Sequence, residues 1–204
     1  MNYLNLPFIN KVTENQEAFG NKVISISKDL GFMPQWLMVV MNNESGVNSR
    51  IENFGGSGAT GLIQFMPATA KDLGTTTAEL KAMTNVEQLD YVKAYFTKHG
   101  WYKKVNDVSD TYLAIFYPAA LYKDDSFVFP KWVVDANKIF DVNKDGTLTK
   151  GEFRTYVNNK YSSYIPKAEA EEFESKKKFK KVIVVVIVAV VVIVAAYFLF
   201  KPKN

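Results

Sequence analysis

Val182 to Phe200 is a run of nineteen residues without a charge, VIVVVIVAVVVIVAAYFLF, and it sets a different folding problem from the rest of the chain. At about 1.5 Å of rise per residue, a helix of this length spans roughly 28 Å, close to the hydrocarbon thickness of a bilayer. Valine is a mediocre helix former in water, but in lipid every backbone group has to be bonded internally. The run is therefore expected to be a transmembrane helix, with the bilayer as a partner. Tyr197 and Phe198 suit an interfacial belt. Lysines bracket the run, at 176, 177, 178, 180 and 181 before it and at 201 and 203 after it. These seven account for the basic pI; the other 18 Lys and Arg face all 21 acidic residues, leaving residues 1–175 with a formal charge of −3. The part that folds in water lacks a basic footprint, so nucleic acid is not expected as a partner.

Cysteine is absent, which excludes disulfide frameworks, thiolate nucleophiles and Cys-based zinc sites. The N-terminus, Met1-Asn2-Tyr3-Leu4-Asn5-Leu6-Pro7, has no basic region followed by an apolar stretch and does not read as a secretory signal. Residues 161–181 are polar and charged, and read as a linker with some helical character. Residues 1–130 read as mainly α. Phe19, Val23, Ile24 and Ile26 recur at helical spacing in a helix from Glu17 to Leu30 that stops at Gly31. Pro34 opens a second helix leading to Glu44, with Trp36, Leu37, Val40 and Met41 on its apolar face. A third begins at Pro67, in the first-turn position proline favours. Further helices are expected over Asn85–Lys98 and Asp110–Leu121, with residues 52–60 irregular or a short hairpin.

Residues 131–160 contain a calcium-loop pattern. In Asp141-Val142-Asn143-Lys144-Asp145-Gly146-Thr147-Leu148-Thr149-Lys150-Gly151-Glu152, oxygen donors Asp141, Asn143 and Asp145 fall at positions 1, 3 and 5. Gly146 permits the sharp turn, the Thr147 carbonyl serves position 7, Thr149 sits at position 9 and Glu152 closes the shell at position 12. Apolar residues before the loop (Val133, Val134, Phe140) and after it (Phe153, Val157) suit the flanking helices of an EF-hand. The expected cofactor is Ca2+, as a structural clamp.

Glu44 ends an apolar helix and is followed by Ser45 and Gly46. A carboxyl held against apolar side chains is harder to ionise, so its pKa rises toward that of a general acid. Glu44-Ser45, followed by Ser57-Gly58-Ala59-Thr60-Gly61-Leu62-Ile63-Gln64-Phe65-Met66-Pro67-Ala68-Thr69-Ala70, resembles the first two motifs of the soluble lytic transglycosylase and goose-type lysozyme family. Leu113 to Leu121 is similar to the third motif, usually Tyr-Asn-Ala-Gly: Tyr117 matches, whereas Pro118 replaces Asn and Ala120 replaces Gly. The resemblance covers roughly residues 20–125 and implies a mainly α, lysozyme-like domain over residues 1–130. It implies cleavage of the β-1,4 bond between N-acetylmuramic acid and N-acetylglucosamine in peptidoglycan. By position, Glu44 is then the acid and base, Gln64 positions the sugar, Ser45 and the Gly61 backbone lie near the cleft, and Tyr117 orients Glu44.

Hydrolysis and transglycosylation differ in whether a second carboxylate activates water. Glu52 is the nearest acidic residue downstream and reads as a solvated loop carboxylate, which favours the transglycosylase over a hydrolytic muramidase. Leu62 and Ile63 read as core, and His99 as a helix C-terminal residue. Trp101, Trp132 and the tyrosines suit either sugar stacking or core packing. Five lysines before residues 182–200 and two after place residues 1–175 in the cytoplasm by the positive-inside rule, away from peptidoglycan. A bacteriophage with an internal membrane resolves this: the domain would face the capsid, beside other virion proteins, and digest the wall during genome entry. The alternatives are a bacterial envelope enzyme, or a non-catalytic structural or wall-binding virion protein that keeps the fold.

Overall fold

The computed structural model describes residues 2–200, with the side chains of residues 190, 193, 194 and 196–200 outside that description. The chain forms two compact units, Met1–Ile165 and Pro166–Asn204. Among the described residues both are helical and neither contains a strand; the β pairing consists of isolated bridges.

In the first unit, α1 (Gln16–Leu30) buries Phe19, Val23, Ile26 and Leu30 as one stripe and is closed by Gly31 at φ 73°. Helix α2 (Pro34–Ser45) differs in kind: every residue from Gln35 to Met41 is buried. A helix apolar on all sides belongs in the middle of a domain, and α2 packs between α1 and α6 (Val108–Phe116). The short helices α3 (Pro67–Asp72) and α4 (Thr77–Ala82) follow the second motif. Helix α5 (Asn85–Lys98) packs along α1. Thr76 with Glu79 and Thr84 with Glu87 form reciprocal capping boxes that fix where α4 and α5 begin. After α7 (Lys131–Ala136) and the loop at 141–149, α8 (Lys150–Tyr161) returns to pack against α6.

The expected helix over Asp110–Leu121 is corrected: α6 ends at Phe116, and Pro118–Tyr122 forms a 3-10 turn. Proline disfavours helical backbone at the preceding residue, and Tyr117 sits at φ −155°, ψ 77°. The loop at 52–60 closes through a single antiparallel bridge between Glu52 and Thr60, and Thr60 pairs onward with Phe65.

The second unit is α9 (Lys167–Phe200). The stretch expected as a linker is thus helical from Lys167. The expected span at 182–200 has helical backbone, but many of its side chains lie outside the described residues. Among the described residues no helix is long and apolar enough to cross a membrane.

Candidate active site

The last turn of α2 carries Glu44, and its geometry follows from how that helix stops. Gly46 and Val47 both adopt left-handed backbone, at φ 64° each. Their N–H groups cap the carbonyls of Asn42 and Met41 at 2.9 and 3.2 Å. A β-branched residue in this region is a real outlier, and such strain clusters at functional sites. Glu44 is largely withdrawn from solvent, and that burial alone pushes its carboxyl from the ordinary 4.5 up to about 7. Beside the turn a polar cavity of about 420 Å³ opens, lined by Gly46, Val47, Asn48, Lys11, Glu14 and Arg50 among others.

The second motif is held against this turn by backbone contacts. The buried Ser45 hydroxyl reaches the carbonyls of Met41 at 2.9 Å and Leu62 at 3.0 Å, so it ties α2 to the second motif. Gly61 stands at φ 80° and donates its N–H to Ile51. A side chain there would collide with Gln88, which only glycine avoids. Gln64 is also left-handed, at φ 52°, and its amide donates to the carbonyl of Gly61 at 3.2 Å. Leu62 and Ile63 are buried, as expected of core residues. Glu52 is half-exposed and bound to Lys81 at 2.8 Å.

Sequence reasoning missed the phenols around Glu44. Tyr95 on α5 and Tyr112 on α6 both lose acidity, first through burial and then through the Glu44 charge. Both therefore stay protonated. Tyr95 donates to the Ala114 carbonyl at 2.8 Å. The Tyr112 hydroxyl has no hydrogen bond among the described residues. Tyr117 lies one step past the end of α6, with its ring against Phe127, Phe129 and Trp132. The tryptophans have separate fates: Trp101 stacks on His99 at 4.4 Å, whereas Trp132 is 68% exposed. His99 ends α5 and bonds Asp72 at 2.9 Å.

Residues 21–99 match the family model of the transglycosylase SLT domain. That family comprises lytic transglycosylases acting on peptidoglycan, so the chain carries a peptidoglycan-cleaving enzyme domain. The match contains α2, Glu44 and the second motif, and it ends before α6. Neither a curated protein nor a solved structure matches the chain.

Beyond the matched SLT segment lies the loop at 141–152. Lys144 and Gly146 take left-handed backbone, at φ 60° and 82°. The Asn143 amide nitrogen lies 3.0 Å from an Asp145 oxygen and 2.8 Å from a Glu152 oxygen, so a donor stands between two carboxylates. Asp141 accepts from Gly146 through one oxygen, while its other oxygen is buried without a partner. Thr147 bonds Asp145, and Thr149 and Glu152 cap the start of α8. Among the described residues no group of three or more Asp, Glu, His or Cys side chains is gathered closely enough to hold a metal ion. The oxygen-only donor set and the orphaned Asp141 oxygen nevertheless fit a hard cation. The segment 127–129 straps the loop: Phe129 donates to the Leu148 carbonyl, and Lys150 to that of Phe127, both at 2.8 Å.

Proposed function

We propose that the chain is a lytic transglycosylase that cleaves the N-acetylmuramic acid to N-acetylglucosamine β-1,4 bond, with Glu44 as its single acid and base. The observation that carries this reading is the Glu44 carboxyl, pushed up to about 7 by burial at the end of α2. Such a group holds its proton near neutrality and releases it within a small pH interval, as a general acid requires. In the first step Glu44 gives its proton to the glycosidic oxygen while the bond from that oxygen to the muramoyl C1 breaks. Positive charge then develops on the ring. Glu44, now a carboxylate, takes the proton of the muramoyl 6-hydroxyl as that oxygen bonds to C1. The product is a 1,6-anhydro sugar; the proton is back on Glu44 and no water is consumed. Tyr112, whose buried phenol feels the Glu44 charge and keeps its proton, would supply a donor for Glu44 in its ionised form.

The state of Glu52 supports transglycosylation over hydrolysis. Its carboxylate is exposed and neutralised by Lys81, and that partner lowers its pKa through hydrogen bonding and charge. It is a poor base for water. The full-length protein incubated with purified peptidoglycan should release anhydro-muropeptides, read by mass spectrometry. Reducing ends would instead establish a muramidase, and no product at all the non-catalytic wall-binding role.

The setting is part of the proposal. The uncharged run at 182–200 and its lysine flanks support a single-pass anchor. A virion with an internal membrane accounts for that anchor and the lysine asymmetry together, with other virion proteins as neighbours; a bacterial envelope is the alternative. Virions lacking the protein and still penetrating the wall normally would overturn the phage assignment. In the calcium loop, Asp141, Asn143, Asp145, Thr147, Thr149 and Glu152 would hold Ca2+. Its charge would neutralise the carboxylates that the loop brings together.

A further inference from the structure

Asn42, Asn43 and Ser45 surround Glu44 in sequence, and each ties the end of α2 to a different part of the fold. Asn42 accepts from the Lys11 ammonium at 2.7 Å, and Ser45 bonds the Leu62 carbonyl. Asn43, immediately before Glu44, accepts from the hydroxyl of Tyr161 at 2.6 Å, across 118 residues of sequence. Tyr161 is the last residue of α8 and is 4% exposed. The amide nitrogen of Asn43 is buried without a hydrogen-bond partner among the described residues, so the Tyr161 hydroxyl is what fixes the rotation of this amide.

Helix α8 reaches the same site by a second route. Its Arg154 bonds Asp107, the N-cap of α6, at 3.0 Å, and its Phe153 ring packs 5.7 Å from Tyr112. One helix therefore braces both the turn that carries Glu44 and the helix that carries Tyr112. Both braces lie outside the segment that matches the SLT domain.

We propose that Tyr161 is a positioning residue for Glu44: its hydroxyl, through Asn43, holds the last turn of α2 so that the Glu44 carboxyl meets the glycosidic oxygen. The inference rests on Glu44 being the acid. A carboxyl at the end of a helix has few restraints of its own, and misplacing a catalytic group by about 1 Å can cost about 100-fold in rate. Replacing Tyr161 by phenylalanine keeps the ring in the core and removes the bond to Asn43 together with a hydrogen bond to Lys160, whereas Asn43→Ala removes the first alone.

The test uses the full-length protein and three variants, Tyr161→Phe, Asn43→Ala and the double variant, with Glu44→Gln measured in parallel. Tyr161→Phe should lower kcat by about 10-fold to 100-fold with KM little changed. The alkaline limb of its kcat profile should move away from about 7. The phenols that share the Glu44 charge, Tyr95 from α5 and Tyr112 from α6, stay protonated over that range and do not obscure the limb. Asn43→Ala removes the same bond from the other side, so the double variant should be no slower than the slower single one. A Tyr161→Phe enzyme with wild-type kcat and pH limb, beside an inactive Glu44→Gln, overturns the positioning role alone. An active Glu44→Gln instead overturns the reading of Glu44. If Tyr161→Phe does not fold, an Asn43→Ala protein that folds with unchanged kcat and pH limb overturns the positioning role by itself.

Discussion

The side-chain oxygen of Gln88 accepts the backbone N–H of Leu62 at 2.9 Å, in the middle of the second motif. The Gln88 nitrogen donates to the carbonyls of Ser49 and Leu80, each at 2.6 Å, and the residue has no exposed surface. One side chain thus satisfies three buried backbone groups, drawn from the loop after α2, the second motif and α4. Gln88→Leu would leave all three unpaired, and each orphaned group costs about 1–3 kcal/mol. The variant should lose several kcal/mol by chemical denaturation. Gly61→Ala acts on the same contact from the other side, since a methyl at φ 80° meets Gln88 directly. It should lower both the melting temperature and turnover. Variants as stable as wild type would show that this amide is dispensable.

The raised pKa of Glu44 fixes the sign of two pH effects. Turnover needs the protonated acid, so kcat should fall as pH rises through about 7. For stability, the folded state binds the Glu44 proton more tightly than the unfolded chain does. Stability is then lost between the ordinary 4.5 and about 7 and is level above that. A shift of this size corresponds to about 3 kcal/mol, an upper figure because the carboxyl is not wholly shielded. Glu44→Gln carries no such cost. It should match the wild type in stability near pH 4 and exceed it by on the order of 2 kcal/mol at pH 8. Urea denaturation at the two pH values gives the comparison; equal stability at pH 8 would place Glu44 in water.

Local signals in the sequence were enough for some of this site. The helix from Gln16 to Leu30 was legible because its apolar stripe and Gly31 lie within one window. The second motif stood out because Gly61 and Pro67 each impose a backbone demand. The start of α5 at Asn85 was read correctly, whereas α4 was not anticipated, although Thr76 with Glu79 shows the same capping-box spacing as Thr84 with Glu87. Gln88 carried no such mark. A glutamine on an amphipathic helix resembles any solvated one until Leu62, 26 residues away, is seen to need its oxygen. The same holds for Tyr95, Tyr112 and Tyr161, whose relation to Glu44 exists only in three dimensions. Tyr117 was picked out by motif alone, and Pro118 ends α6 before it.

The calcium loop makes a prediction independent of catalysis. Asp141 brings a buried, unpartnered oxygen, and Asn143 stands between the carboxylates of Asp145 and Glu152. A cation that binds the folded loop stabilises the protein by about 2.7 kcal/mol at a hundred times its Kd. Calorimetry should therefore show a higher melting temperature in millimolar calcium than in chelator. Asp141→Ala should remove the difference. Identical melts with and without calcium would show that the loop is held by its own hydrogen bonds.

The position of Tyr161 makes one residue boundary decisive. The first compact unit runs to Ile165, and α8 ends at Tyr161. A shortened chain ending at Lys160 retains the calcium loop and nearly all of α8. It lacks the ring that is 4% exposed, the hydroxyl bound to Asn43 and the neighbouring Tyr164 ring at 6.4 Å. A chain ending at Ile165 keeps all three. Losing a buried tyrosine costs about 3–5 kcal/mol by analogy with large aromatic truncations in cores. The longer chain should melt well above the shorter and release muropeptides faster. If the two melt together and turn over peptidoglycan at the same rate, the end of α8 contributes to neither the core nor the alignment of Glu44.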